Sequence, residues 1–236
     1  MINNKKVLVI GDVILDVWTY AKAVGLSLET PTLKSKLIEK KHTFGGSANV
    51  VSNLKELGAD ITFLTLLGDD EYTKTYESIK DIKLHSVVED DRKNTIKERF
   101  WIERGGSNYK HLQVNVIDNK SIKKESIDKM IKNIEDTLDD KFDVVMLIDY
   151  RHGLFTKDFL NRLMPVLNKK SIPIVVIKFG LKEFLANCEI RQVFPTALSP
   201  RVSNLILTCL SPRLAIFLYF FYLIFFLFTN LLKKTK

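Results

Sequence analysis

The sequence predicts an α/β protein in which parallel strands carry helices on their faces and a small antiparallel β insertion projects from the sheet. Three observations predict this fold. Residues 6–10 and 61–67 are predominantly apolar runs, as in strands buried on both faces. Segments with helical apolar spacing follow them, and alternation of strand and helix indicates a parallel sheet. Within residues 84–116, three strand-like segments interrupt that alternation, the last two joined across Gly105 and Gly106 as in a hairpin.

The other elements follow from local signals. A helix is expected to begin after Gly45-Gly46-Ser47 and to end at Gly58. A second helix is expected around residues 71–79, a third over 121–138, and a fourth from a cap at Thr156 to about residue 168. Residues 142–148 and 172–177 complete the predicted sheet.

Composition divides the 236-residue chain into two parts. All 28 acidic residues lie at or before Glu189, and all ten glycines lie at or before Gly180. The first 189 residues carry 30 Lys and Arg against those 28 acids, a net charge of +2, whereas the tail carries the other six cations. Lysines alternate with acids in the first part, so the basic average does not indicate nucleic-acid binding. We therefore assign one domain to residues 1–180 and an atypical hydrophobic tail to residues 181–236.

The tail contains a candidate membrane span. Residues 214–228 are fifteen consecutive apolar residues, and the run extends to residue 232 with Arg213 before it and lysines after it. A span needs about 20 predominantly apolar residues, so residues 214–232 are a marginal candidate. Membrane contact through this segment is an expectation.

Cysteine and histidine give no framework for a disulfide or a metal. Cys188 and Cys209 stand apart, and the four histidines are scattered along the chain. The first apolar run is too short for a signal peptide. We expect no metal ligands and a cytoplasmic location.

Acidic residues follow three predicted strands, namely Asp12, Asp69 and Asp149. Ligands of open parallel sheets bind beyond the carboxyl ends of the strands, so these side chains would border a cleft. A cap or turn role is the alternative for each aspartate, and a tight turn is the alternative for Gly45-Gly46. The first strand is not followed by G-x-G-x-x-G, and no G-x-x-x-x-G-K-[ST] loop occurs, so neither nucleotide-binding loop is indicated.

Four motifs in order carry a family resemblance: Gly11-Asp12-Val13-Ile14-Leu15-Asp16, Phe44-Gly45-Gly46-Ser47-Ala48-Asn49-Val50, Leu57-Gly58-Ala59 and Leu67-Gly68-Asp69-Asp70. Together they resemble the amino-terminal half of the ribokinase-like (PfkB) carbohydrate kinases. Asp149-Tyr150 followed by Gly153-Leu154-Phe155-Thr156 is similar to the heptose-7-phosphate kinase domain of the bifunctional ADP-heptose synthesis proteins. The resemblance covers about residues 5–177. It implies a ribokinase-like sheet with a β lid from about 13–41 and 84–117, truncated at the carboxyl-terminal third.

The resemblance also implies site residues. Asp12 and Asp16 would accept hydrogen bonds from sugar hydroxyls, Gly45 and Gly46 would let the backbone approach the sugar, and Asn49 would add an amide contact. Lys97 and Arg99 alternate on the predicted lid, so they share a face and suit a substrate phosphate. An exposed strand edge protected by charge is the alternative for these two cations.

ATP and Mg²⁺ are the cofactors that the resemblance implies for the family. It places the catalytic aspartate, in a glycine-rich G-A-G-D stretch, in the carboxyl-terminal third. This chain has no glycine after Gly180 and no aspartate after Asp158, so we expect no catalytic residue and do not expect ATP or Mg²⁺ binding.

Two hypotheses remain for the chain as a whole. One is a truncated or frameshifted sugar-kinase homologue that is catalytically incomplete. The other is a noncatalytic, membrane-tethered protein that binds a sugar phosphate. Both predict a sugar or sugar phosphate as partner and no nucleic acid, and the family resemblance suggests a homodimer formed through the lid.

Overall fold

The computed structural model describes residues 4–178. The elements in this range, in chain order, are β1 (Lys6–Gly11), β2 (Val13–Leu26), β3 (Leu33–Gly46), α1 (Ser47–Glu56), β4 (Asp60–Gly68), α2 (Thr73–Glu77), β5 (Lys83–Glu89), β6 (Ile96–Arg104), β7 (Ser107–Val116), α3 (Lys124–Thr137), β8 (Val144–Asp149), α4 (Lys157–Lys169) and β9 (Ile174–Lys178).

Five of these strands form the central sheet, in the order β5-β4-β1-β8-β9. Every pair in it is parallel. Both faces of β1 are buried, since Val7 and Val9 on one face and Leu8 and Ile10 on the other are at most 2% exposed. The predicted α/β fold with a parallel sheet is confirmed, and the predominantly apolar runs reflect this two-sided burial.

Helices α3 and α4 pack together on one face of the central sheet. Ile127, Met130 and Ile134 of α3 join Phe159 and Leu163 of α4 in a core that also contains Leu8 and Ile10. The predicted cap of α4 is present, because Thr156 Oγ1 accepts a hydrogen bond from Phe159 N at 3.2 Å. Helix α1 contacts β1 and β4.

The remaining four strands form the lid sheet, in the order β3-β2-β6-β7. Two antiparallel hairpins, β2–β3 and β6–β7, are joined by parallel pairing of β2 with β6. Gly105 and Gly106, with φ of 59° and 79°, form the predicted turn between β6 and β7. All residues of β7 are exposed.

The lid boundaries differ from the expected 13–41 and 84–117. That expectation places residues 84–88 in the lid, but β5 pairs in parallel with β4 at the edge of the central sheet. Its alternating exposure is that of an edge strand, and α3 packs beside it. The lid sheet therefore comprises residues 13–46 and 96–116.

The hydrophobic tail expected at residues 181–236, with its candidate span at 214–232, lies outside the described residues. Within residues 4–178, no helix is long and apolar enough to cross a membrane.

Candidate functional site

Asp12 lies at the carboxyl end of β1 and is hydrogen-bonded to the loop that follows β8. Its Oδ2 accepts hydrogen bonds from Tyr150 N at 2.8 Å and from His152 N at 3.3 Å. The residue is only 4% exposed, and burial raises the pKa of its carboxyl group to about 6. The carboxylate therefore has a structural role in addition to any contact with a ligand.

The two glycines before α1 pack against the two aspartates of the opening motif. A Cβ on Gly45 would lie 2.7 Å from Asp16 Oδ2, and a Cβ on Gly46 would lie 2.7 Å from the Asp12 carbonyl oxygen. Gly46 also has a φ of 61°, which disfavours other residues. Ser47 N and Oγ both donate to the Asp12 carbonyl oxygen, at 2.9 and 2.7 Å. The close approach of β3 to β2 thus explains why both positions are glycine.

Asp16, Lys97 and Arg99 lie on one face of the lid sheet. Asp16 is opposite Lys97 in the parallel register of β2 and β6. Arg99 Nη1 donates to Asp16 Oδ1 at 2.6 Å, and the Arg99 guanidinium carbon lies 4.9 Å from the centre of the Trp18 ring. The ion pair and the cation–π contact together fix the position of the guanidinium.

This face of the lid is directed toward the loop after β8. Burial lowers the pKa of His152, and the positive charge of Lys97 lowers it further. Burial raises the pKa of Tyr150, and the negative charge of Asp16 raises it further, to about 12. Each effect requires a lid charge near a loop side chain, so Asp16 lies near Tyr150 and Lys97 lies near His152. We refer to the region between this lid face and the loop as the cleft.

The structure thus brings most of the predicted site residues together, though in an arrangement not foreseen from the sequence. Asp16 contacts both Gly45 and Arg99, whereas the carboxylate of Asp12 is bonded to the loop after β8. Asn49 lies in the first turn of α1 and is exposed, with its Oδ1 3.4 Å from Asn53 Nδ2. The ligand contacts assigned to these residues, and to Lys97, stay predictions.

Sequence reasoning missed several polar residues at the cleft. Tyr150 belongs to the Asp149-Tyr150 motif, which could have marked it, and His152 lies two residues further along. Asn94 gave no signal, yet its Oδ1 accepts from Gly68 N at 3.1 Å and its Nδ2 donates to Asp70 Oδ1 at 2.8 Å. A small pocket beside Asp12 is lined by residues of these segments, among them Arg92, Asn94, Thr95, Asp118 and His152.

Metal-binding side chains do not cluster in this part of the chain. Among residues 4–178, no group of three or more His, Cys, Asp or Glu side chains is arranged to hold a metal ion.

Comparison with known proteins identifies the family. Residues 4–133 match the family described as pfkB family carbohydrate kinase. The bifunctional protein HldE of Campylobacter jejuni subsp. doylei is 31% identical over 171 residues, which cover 72% of this chain and 35% of that protein. The chain thus spans about a third of the length of the curated relatives it matches.

Solved structures agree on the fold. The tetrameric inhibited form of phosphofructokinase-2 from Escherichia coli superimposes with a TM-score of 0.54 at 14% identity, over 75% of this chain and 55% of that one. The same enzyme in complex with fructose-6-phosphate gives a TM-score of 0.52 at 15% identity, over 76% and 56%. The resemblance inferred from the motifs is confirmed, and the chain belongs to the pfkB family of carbohydrate kinases.

Proposed function

We propose that the cleft between the lid and the loop after β8 binds a phosphorylated sugar of the heptose-phosphate class. The observation that carries this proposal is the placement of one carboxylate, Asp16, beside two cations, Lys97 and Arg99, on the lid face that borders the cleft. Carboxylates accept hydrogen bonds from sugar hydroxyls, and paired cations suit a phosphate. The similarity to HldE supports the substrate class.

Each predicted residue has a specific role in this proposal. Asp12 would offer Oδ1 to a sugar hydroxyl, because Oδ2 already accepts two backbone amides. Arg99 retains further N–H donors for a phosphate after its bond to Asp16. Gly45 and Gly46 allow the backbone to approach the sugar, and Asn49 adds an amide at the start of α1.

The affinity of the full 236-residue chain for sugar phosphates tests this site. Calorimetry with heptose and hexose phosphates, and with the unphosphorylated sugars, should show binding that depends on the phosphate. Lys97→Met should weaken binding of the sugar phosphate by about 10-fold or more, because a hydrogen bond to a charged group contributes about 1.5–3 kcal/mol. Binding of the unphosphorylated sugar should change less than about 2-fold.

Lys22→Met is the matched control for that variant. Lys22 also lies on the lid, where its exposed side chain pairs with Glu103 at 3.5 Å. It should leave both affinities unchanged. Equal affinities of the two variants for sugar phosphate, or no binding by the wild-type chain, would contradict the proposed site.

ATP and Mg²⁺ are the cofactors suggested for the family, and among residues 4–178 no group of three or more His, Cys, Asp or Glu side chains is arranged to hold a metal ion. We therefore derive no catalytic step through either group. We propose that this polypeptide binds its sugar phosphate without transferring phosphate from ATP. The absence of aspartate after Asp158 and of glycine after Gly180 supports this, since the resemblance places the catalytic base in a glycine-rich stretch near the carboxyl terminus.

An ATP-turnover assay tests that second proposal. The purified chain, given ATP, Mg²⁺ and the same panel of sugar phosphates, should show no turnover above the buffer blank. Turnover on the order of 1 s⁻¹, a common value for enzymes, that is abolished by Asp16→Ala would contradict it.

Two partners complete the proposal. A homodimer through the lid is supported by exposed apolar residues of β7 on the face opposite Lys97, namely Leu112, Val114 and Val116.

A tethered, cytoplasmic sugar-phosphate binder is the alternative function, favoured by the cations that flank residues 214–232. Sedimentation of the chain with and without lipid vesicles tests both partners, since lid association needs no lipid.

A further inference from the structure

Glu89 and Arg92 form a buried ion pair at the base of the lid. Arg92 Nε donates to Glu89 Oε2 at 2.8 Å, and the two side chains are only 4% and 3% exposed. Burying two charges costs several kcal/mol per ion, on the order of the stability of a small domain, unless further hydrogen bonds satisfy them. The partners of this pair are therefore informative.

The remaining bonds of the pair connect three segments of the chain. Arg92 Nη1 donates to the His152 carbonyl oxygen at 3.2 Å, and Nη2 donates to the Lys120 carbonyl oxygen at 2.6 Å. Glu89 Oε1 accepts from Lys123 N at 2.8 Å. One guanidinium thus joins the chain entering the lid at β6, the chain leaving it after β7, and the loop after β8.

The loop after β8 is held from two sides. Asp12 Oδ2 accepts its amides at Tyr150 and His152, and Arg92 binds its carbonyl at His152. The backbone of Arg92 also packs closely against the end of β4, since a Cβ on Gly68 would lie 2.5 Å from the Arg92 carbonyl oxygen. The position of this loop relative to the lid therefore depends on Arg92.

We infer that Arg92, oriented by Glu89, is a positioning residue that holds the loop at residues 149–153 in register with the lid face carrying Asp16 and Lys97. Arg92 touches no ligand in this account and acts through the loop. Its effect on affinity rests on the proposed sugar-phosphate site, whereas its effect on the loop does not.

Arg92→Lys in the full chain tests the inference, because lysine keeps the charge but cannot reach both carbonyl oxygens with a planar fork. Arg162→Lys is the control, since Arg162 pairs with Asp128 at the protein surface at 2.7 Å. Hydrogen exchange of the Tyr150 and His152 amides, measured without ligand, should accelerate at least about 10-fold in the first variant, with the amides of β1 and β4 unchanged. The control should change neither set.

Affinity for a heptose or hexose phosphate provides the second measurement. Arg92→Lys should lower it about 10-fold or more, and Arg162→Lys should not. Equal acceleration of exchange in the loop and in the central sheet would show a merely structural role and overturn the inference, as would unchanged exchange in the loop. Unchanged affinity in a variant with a loosened loop would also overturn it.

Glu89→Gln takes the place of Arg92→Lys if that variant does not fold. It keeps the size of the side chain but removes the charge that orients Arg92, so loop exchange should accelerate about 3-fold or more. Unchanged loop exchange in this variant would overturn the inference. If the wild-type chain binds no sugar phosphate, the proposed function fails, and the exchange measurement alone decides the role of Arg92.

Discussion

In the central sheet, β1 and β8 are buried along almost their whole length, whereas every residue of β7 in the lid is exposed. The central strands are apolar and carry helices, while the lid strands mix charged, polar and apolar residues and bear most of the predicted ligand contacts. Burial of apolar surface is the dominant stabilising contribution to folding. The central sheet therefore buries most of the apolar surface, and most of the proposed ligand contacts lie on the lid.

The exposed part of the lid carries polar contacts that contribute little on their own. Lys40 and Glu98 pair at 3.2 Å with partly exposed side chains, and Thr19 Oγ1 donates to Glu98 Oε1 at 2.6 Å. Exposed ion pairs of this kind typically contribute about 0–1 kcal/mol. The position of the lid must then depend on its connections to the central sheet. There Ser47 makes a buried hydrogen bond to Asp12, and Arg92 makes a partly buried one to Lys120.

The largest expected effect compares one leucine from each sheet. Leu64 of β4 is fully buried, whereas Leu112 of β7 is 51% exposed. Leu64→Ala should lower the free energy of unfolding by about 3–5 kcal/mol, because it leaves a cavity in a close-packed core. Leu112→Ala, measured at concentrations below those at which the proposed lid dimer forms, should lower it by less than about 0.5 kcal/mol. Urea unfolding of both variants measures the difference, and equal losses would break the comparison.

A smaller effect on the free energy of unfolding is expected from two glycines. Gly153 lies at the junction, where the loop after β8 meets the chain that leaves the lid, and Gly106 lies at the lid tip. Gly153 has a φ of 92°, and a Cβ there would collide with the Lys120 carbonyl oxygen. Gly153→Ala should therefore cost about 2–3 kcal/mol from backbone strain and overpacking.

Gly106→Ala is the matched control for that substitution. Gly106 also has a positive φ, 79°, but nothing lies within 4 Å of a Cβ built on it. Only the strain remains, so the expected cost is about 1 kcal/mol. Thermal unfolding of the two variants measures the difference in stability. A larger loss of stability in Gly106→Ala than in Gly153→Ala would contradict the prediction.

The sequence predicted the central sheet well because two-sided burial leaves a local signature. The runs at residues 6–10 and 61–67 contain little that could face water, and each became a buried strand. Residues 84–88 mix polar and apolar side chains, as edge strands and lid strands both do, so their sheet could not be identified locally.

The candidate site was predicted in part, because motifs name residues but do not give their partners. Asp12, Asp16 and the glycine pair were found from the motifs, and their close packing explains the residue types. The bond from Arg99 to Asp16 joins residues 83 positions apart, and Arg92 reaches a carbonyl 60 positions away. Such contacts follow from the tertiary fold and leave no spacing signal in the chain.

The smallest expected effect concerns the charge of Asp12. Its carboxyl pKa is raised from 3.8 to about 6, with burial as the largest cause. Between these two pH values the folded chain binds a proton that the unfolded chain has released, so the contribution of this group to stability falls as the pH rises through that window. Above about pH 6 both states are ionised, and the full cost of the buried charge is present.

Asp12→Asn should therefore be more stable than the wild type at pH 8, by about 1–2 kcal/mol, and should lose this advantage at pH 4. The asparagine oxygen can still accept the amides of Tyr150 and His152, so the loop should stay in place. Asp12→Ala separates charge from hydrogen bonding, because alanine leaves both amides without their acceptor and should be less stable than the asparagine variant at every pH. Urea unfolding from pH 4 to 8 measures all three chains. An asparagine variant that loses stability most strongly at pH 8 would contradict this prediction. It would show that the ionised Asp12 carboxylate stabilises the contact between the end of β1 and the loop after β8.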